Sequence, residues 1–179
     1  ELASFTVGAL MSLLAFALSE CYIVVRGGEL LAPLPMLTMV GLILLASLCN
    51  TALVSFVISF FKSQNAFGTA SSILGTLVGF LTGIYLPIGI LPDAMQFVVK
   101  IFPVSHAALL MRNVMMQTSL HQVFGGAPAA VAQEFEEQMG VVFRFGSQTV
   151  SGTTSLLILA GTTLLFYALS TWRFGLKNK

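Results

Sequence analysis

The residues that could carry out chemistry are few and widely spaced. His106 and His121 have no carboxylate beside them, and no H-E-x-x-H occurs, so the spacing that would hold zinc and a general base is missing. Serines gather in F-G-T-A-S-S (67–72) and F-G-S-Q-T-V-S-G (145–152). A serine nucleophile needs a base within hydrogen-bond reach, and no histidine lies in an apolar stretch to supply one. The phosphate-cradling G-x-x-x-x-G-K-[ST] is absent, so this chain has no loop of its own to bind ATP in that manner. Glu134, Glu136 and Glu137 could attract a cation, but they read better as the solvated face of a short helix. Cys21 and Cys49 read as small apolar residues rather than a disulfide or a metal pair. Three polar residues remain. Glu20 is either a pathway or proton-coupling residue, or a carboxylate at headgroup level near Arg26. Asn50 either lines a pathway or hydrogen-bonds a neighbouring helix. Arg112 either anchors to lipid phosphate or pairs with a glutamate.

The elements that position these residues are set by a very apolar composition. Of 179 residues, 56% are hydrophobic and 8% charged, the mean hydropathy is +0.94 and the net charge is +1. A soluble domain carries about 25% charged residues, so an ordinary soluble domain and a disordered chain are both excluded, and no basic stripe supports nucleic-acid binding. Charge-free runs cover Leu2–Ser19, Leu30–Phe61, Ser63–Pro92 and Phe145–Trp172. About 20 apolar residues cross a bilayer as a helix, and helix satisfies every backbone amide within the segment. We therefore expect an all-α polytopic membrane bundle, with transmembrane helices near 2–25, 34–61, 66–87 and 152–172. Insertion is strongly favoured: the fourteen Leu, Ile, Val and Phe of residues 36–61 contribute roughly −4 to −8 kcal/mol. Lys62, Arg173, Lys177 and Lys179 against Arg26 place the Lys62 loop and the C-terminal tail inside, and 88–151 outside. Tyr22 and Tyr85 then fall at the outer interface, with Tyr167 and Trp172 at the inner one. No basic n-region or cleavage site precedes the first span. The start at Glu1 rather than Met suggests missing upstream residues.

The third span carries Ser71, Gly75, Gly79 and Gly83 at four-residue intervals, a bare face that another helix can approach closely. That helix belongs either to this chain or to a second subunit. Pro87 and Pro92 then break the helix. Leu91, Met95, Val98 and Phe102 recur as an apolar stripe opposite Asp93, Gln96 and Lys100, which predicts a short amphipathic helix ended by Pro103. Ser105 is a candidate N-cap for a second helix over 105–118. Both are too short to cross and suit an outer hairpin that dips into, or lies on, the membrane. Residues 124–128 form a loop, and 129–139 a small helix.

This stretch, G-I-Y-L-P-I-G-I-L-P-D-A-M-Q-F-V-V-K-I-F-P-V-S-H-A-A-L-L-M-R, resembles the signature region of permease subunits of type-2 ATP-binding-cassette exporters. Gly83, Pro87, Leu91, Pro92, Phe102, Pro103 and Arg112 carry the likeness. It implies a permease half in which the four spans correspond to the third to sixth of six, so that two N-terminal spans and a coupling helix are missing. It also implies a partner ATPase holding ATP and magnesium, a second permease half forming a dimer, and paired outer helices that close the exit. The setting would be a plasma membrane, such as a bacterial inner membrane. Phe16, Phe56, Phe60 and Phe80 are candidate cavity walls, favouring amphipathic, drug-like or lipid-linked cargo, with Glu20, Asn50 and Phe56 as pathway candidates. The competing reading is a membrane enzyme or assembly factor without transport, which an ionisable pair inside the bilayer would favour.

Overall fold

The computed structural model describes residues 2–61, 63–146 and 148–177. Glu1, Lys62 and Lys179, on which parts of the reading above rest, lie outside them. Seven α-helices follow in chain order: α1 (Leu2–Val25), α2 (Pro33–Ile58), α3 (Gln64–Leu81), α4 (Asp93–Ile101), α5 (Pro103–Phe124), α6 (Ala129–Gln138) and α7 (Gly152–Lys177). A 3-10 turn at Ile88–Ile90 precedes α4, and a two-residue antiparallel ladder pairs Arg144 with Thr149 and Phe145 with Gln148. The chain is an all-α polytopic membrane bundle.

Local sequence sets these ends. Pro33 sits in the first turn of α2, where its missing N–H costs nothing. The Ser63 hydroxyl accepts from the Ala66 amide at the start of α3, and the Ser151 hydroxyl accepts from the Thr154 amide at the start of α7. α1, α2 and residues Gly152–Arg173 of α7 are long and apolar enough to cross a bilayer. α3 is shorter, at 18 residues, or about 27 Å. Its helix stops at Leu81, whereas the third span was expected to run to 87. α4 and α5 meet at 85°, which makes them a broken span or a re-entrant loop. The bend has a local cause: Phe102, held before Pro103, is extended at φ −71° and ψ 126° because α geometry there would clash with the proline ring.

α2 is the central helix. Met39, Leu42 and Ile43 meet Leu13 and Phe16 of α1 and Val114 and Met115 of α5. One to two turns on, Ala46 and Cys49 meet Ala107 of α5 and Leu159 of α7. A third cluster, of Leu81, Ile88, Leu91, Val99, Leu109 and Phe143, forms the core of the head built from 88–150. Leu110 packs against all three clusters. The outward faces of α1 and α7 are lined by exposed Leu10, Leu14, Leu18, Leu157 and Leu164, as befits a surface whose solvent is lipid.

Several expectations need correction. α5 spans 22 residues rather than 105–118, about 33 Å, so it is not too short to cross. Its N-cap is Phe102, not Ser105, because Pro103 already occupies the first turn. On α4 the predicted apolar stripe points outward at Met95 and Val98, and the buried residue is Val99. Cys21 is exposed while Cys49 is buried. On α3, a side chain at Gly79 would run into the Tyr85 ring, whereas Gly75 has nothing close by. The small-residue face is thus capped at one end by the chain's own tyrosine.

Candidate functional site

The residues singled out between Gly83 and Arg112 converge where α3 ends and the hairpin turns. α3 finishes in a glycine-terminated cap. The Ile84 amide donates to Gly79 O at 3.0 Å and the Gly83 amide to Phe80 O at 3.1 Å, with Gly83 at φ +70°. That left-handed conformation suits glycine and closes the paired bonds of a helix C-terminus. The same bonds leave the carbonyls of Leu81, Thr82 and Gly83 without backbone donors.

α5 supplies those donors. The Ser105 hydroxyl donates to Leu81 O at 2.7 Å. Two turns later, the Arg112 guanidinium donates through one Nη to Thr82 O at 2.7 Å and Gly83 O at 3.0 Å. Ser105 and Arg112, seven positions apart, lie on one stripe of α5. The positive charge meets the negative end of the α3 dipole. A second helix end approaches the same cation: α6 closes in the same manner, with Val141 N donating to Glu136 O at 2.8 Å and Gly140 at φ +68°. A Cβ on either Gly83 or Gly140 would press on Ile88 and on a guanidinium nitrogen of Arg112. Both glycines therefore allow close approach. The other Nη of Arg112 is buried without a partner, and among the described residues Arg112 pairs with no glutamate. Arg112 meets backbone carbonyls instead.

The remaining motif residues shape the surroundings. Pro87 begins the 3-10 turn, Leu91 is buried in the head core, Pro92 caps α4, and Phe102 and Pro103 form the elbow. Gln96 ties the elbow's entry by donating to Leu91 O at 2.9 Å. His106 is the site residue that sequence reasoning missed. Its Nε2 lies 3.0 Å from Lys100 O and its Nδ1 3.0 Å from Ser155 Oγ in α7. A carbonyl can only accept, so the proton sits on Nε2 and the Ser155 hydroxyl donates to Nδ1. This is a histidine and serine within reach, 49 positions apart in the chain. It is not built for nucleophilic catalysis: the two residues are 1% and 0% exposed, and Nε2 is committed to the backbone. The pair joins α4, α5 and α7 into one knot.

Over most of its length the chain matches a known family. The match to ABC-2 family transporter proteins covers residues 2–172. The chain belongs to the ABC-2 transporter family. No curated protein and no solved structure matches it. As an ABC-2 protein it is a multi-pass membrane permease of an ATP-binding-cassette transporter, a transport component rather than an enzyme, and the family works with an ATP-binding-cassette ATPase.

The other candidates lie away from this latch. Glu20 is 5% exposed, and its Oε2 accepts from the Leu31 amide at 3.1 Å just before α2 begins. Oε1 is buried without a partner. The carboxylate thus faces the positive end of α2, while Arg26 lies 5.9 Å over the Tyr22 ring instead of beside Glu20. Phe56 packs at 5.1 Å on Phe60 and 5.6 Å on Phe166, and Arg173 lies 3.9 Å over Phe60, tying α2 to α7 at the far end of the bundle. Glu137 pairs with Arg144 at 2.8 Å. Among the described residues, no group of three or more His, Cys, Asp or Glu could hold a metal.

Proposed function

We propose that this ABC-2 permease is the C-terminal portion of an exporter half, and that the α4–α5 hairpin is its outer gate. ATP and magnesium are bound and turned over by the partner ATPase. Two permease halves enclose the path, and the cargo is amphipathic, drug-like or lipid-linked. The setting is a cell membrane, such as a bacterial inner membrane, with 88–151 outside and α7 ending inside. The observation that supports this reading is the latch of Ser105 and Arg112 onto the end of α3. Through it, a displacement of a membrane helix pulls directly on the hairpin elbow. The exposed Met95, Phe97, Val98 and Ile101 of α4 let the hairpin shift along lipid or a second half without baring new apolar surface to water.

The test is reconstitution of the full-length permease with its ATPase in liposomes. ATP-driven movement of an amphipathic dye out of the ATPase-bearing compartment, with faster ATP turnover than the ATPase alone shows, is the expected result. Movement in the opposite direction overturns export. No flux and no stimulation overturn the transport reading as a whole.

A further inference from the structure

Between α1 and α2, at the end of the bundle that carries Arg173, lies a groove of about 280 Å³. It is lined by Ser4 and Ser12 of α1 and Ser47, Asn50, Thr51 and Ser55 of α2. Hydroxyls on apolar membrane helices ordinarily turn back onto the carbonyl three or four residues earlier. On α1 and α2 the hydroxyls outside the groove do so: Thr6 donates to Leu2 O at 2.8 Å, Ser19 to Phe16 O at 2.8 Å, Thr38 to Leu34 O at 2.9 Å and Ser59 to Phe56 O at 2.6 Å. None of the five hydroxyls in the groove, nor the Asn50 amide, has a hydrogen-bond partner among the described residues. Ser47 is the sharpest case, at 8% exposed with its hydroxyl unpaired. Ser4, Ser12 and Asn50 are exposed along the open side of the groove, while Ser47 is nearly buried. Polar groups at membrane depth are costly unless satisfied, so this unpaired set bordering one open space suits a polar ligand.

The lining defines that ligand. It holds no charge, so it offers nothing to offset a phosphate or an ammonium brought to bilayer depth. It mixes donors and acceptors, which suits hydroxyls or amides. Gly8 opens the α1 wall, with nothing near where its Cβ would stand, and Val54 and Ile58 supply apolar footing. The space equals about nine waters at ~30 Å³ each, the size of a small headgroup. We propose that the α1–α2 groove binds the uncharged, hydroxyl- or amide-bearing head of a membrane amphiphile. This does not depend on the hairpin being a gate.

The test uses the full-length permease with its ATPase in phosphatidylcholine nanodiscs. One set carries a diacylglycerol with a diazirine beside the glycerol, the other a phosphatidic acid with the same chains. After illumination, adducts should concentrate on residues 4–12 and 47–58 with diacylglycerol. The expected excess over phosphatidic acid is at least about fivefold, the ratio that a single net hydrogen bond confers. The near-isosteric pair Asn50→Leu and Thr51→Val should abolish the excess, while labelling of the lipid-facing side of α7 stays unchanged and reports an intact fold. Equal labelling by both probes, an excess that survives the double substitution, or a cross-link to another polypeptide in place of lipid overturns the proposal. Trapping the ATPase with ATP and vanadate distinguishes the source. Loss of the excess marks cargo in transit, and an unchanged excess marks a resident lipid. Both outcomes require the site.

Discussion

Replacing Arg112 by methionine removes the cation that closes α3 while keeping an apolar stem of similar reach. Two bonds from a charged donor contribute about 1.5–3 kcal/mol each, and the buried, unpartnered nitrogen takes back about 1–3 kcal/mol. At the middle of each range the net is about 2.5 kcal/mol, or roughly 70-fold in the balance between latched and open forms. The amides that report this are those of Gly83 and Ile84, which donate to Phe80 O and Gly79 O and exchange with solvent only when the cap opens. Hydrogen exchange on a peptide covering 78–92, measured in nanodiscs, should therefore accelerate by that factor in Arg112→Met. Exchange in α2 should stay as it is. Arg112→Lys keeps the charge but loses the planar Nη whose two N–H groups are held toward Thr82 O and Gly83 O, so it should fall between. If both variants exchange within about threefold of the native protein, a margin of less than a single net hydrogen bond, the guanidinium does not hold the end of α3 and the latch is refuted.

Four further outcomes are expected. Gly83→Ala forces an L-residue into the left-handed region at about 1–2 kcal/mol and presses its Cβ to 2.9 Å from Ile88. It should lower thermal stability more than Gly75→Ala, which meets open space; equal effects would contradict the cap. Leu110→Ala should cost about 2–4 kcal/mol in detergent-based unfolding because three clusters lose a neighbour, and a loss below about 1 kcal/mol would show that the clusters are independent. Ser155→Ala leaves His106 Nδ1 without its donor and should destabilise by about 1–3 kcal/mol, whereas native Ser155 should resist a fluorophosphonate probe; labelling at that residue would revive an enzymatic role. With Cys21 replaced, Gln133→Cys, on the exposed side of α6, should react with an impermeant maleimide from outside intact cells. Reaction only after lysis would invert the proposed orientation.

The sequence disclosed most where covalent chemistry restricts the backbone. Pro92 and Pro103 marked both hairpin helices to within a residue or two at their starts, because proline dictates its own φ and the conformation before it. Periodicity served less well. On α4, Met95 and Val98 looked like the core stripe, yet they are exposed, because in a membrane protein the apolar face of a helix can be the lipid-facing one. The α3 glycines pointed to helix packing, and only at Gly79 is there a neighbour, Tyr85. The latch and the His106–Ser155 pair were not legible at all. Both join residues 24 to 49 positions apart, and half of the partners at the latch are carbonyls that every residue possesses. The only available trace was Ser105 and Arg112 falling on one face of an otherwise apolar turn.

How α3 is held bears on how a gate could work. Within the described residues its main partner is α5, and the contact lies at its C-terminal end; Gly68 and Gly75 further back face open space. A helix secured at one end and free along its flank can tilt about that end without breaking a packed interface. The tilt would act on Leu81, Thr82 and Gly83, hence on Ser105 and Arg112, and so on the first turns of α5. There the His106 link to Ser155 ties the elbow to α7, which is itself packed on α2. The hairpin is thus suspended between one loosely flanked helix and one firmly packed helix. In the proposed exporter, displacement of α3 relative to α7 is the motion that would open the elbow, since a movement shared by both would carry the hairpin along unchanged. That places the demand for strength on the polar ties rather than on apolar packing. It also explains physically why an arginine, which can grip two carbonyls with one planar group, stands where a single hydroxyl would leave one of them unpaired.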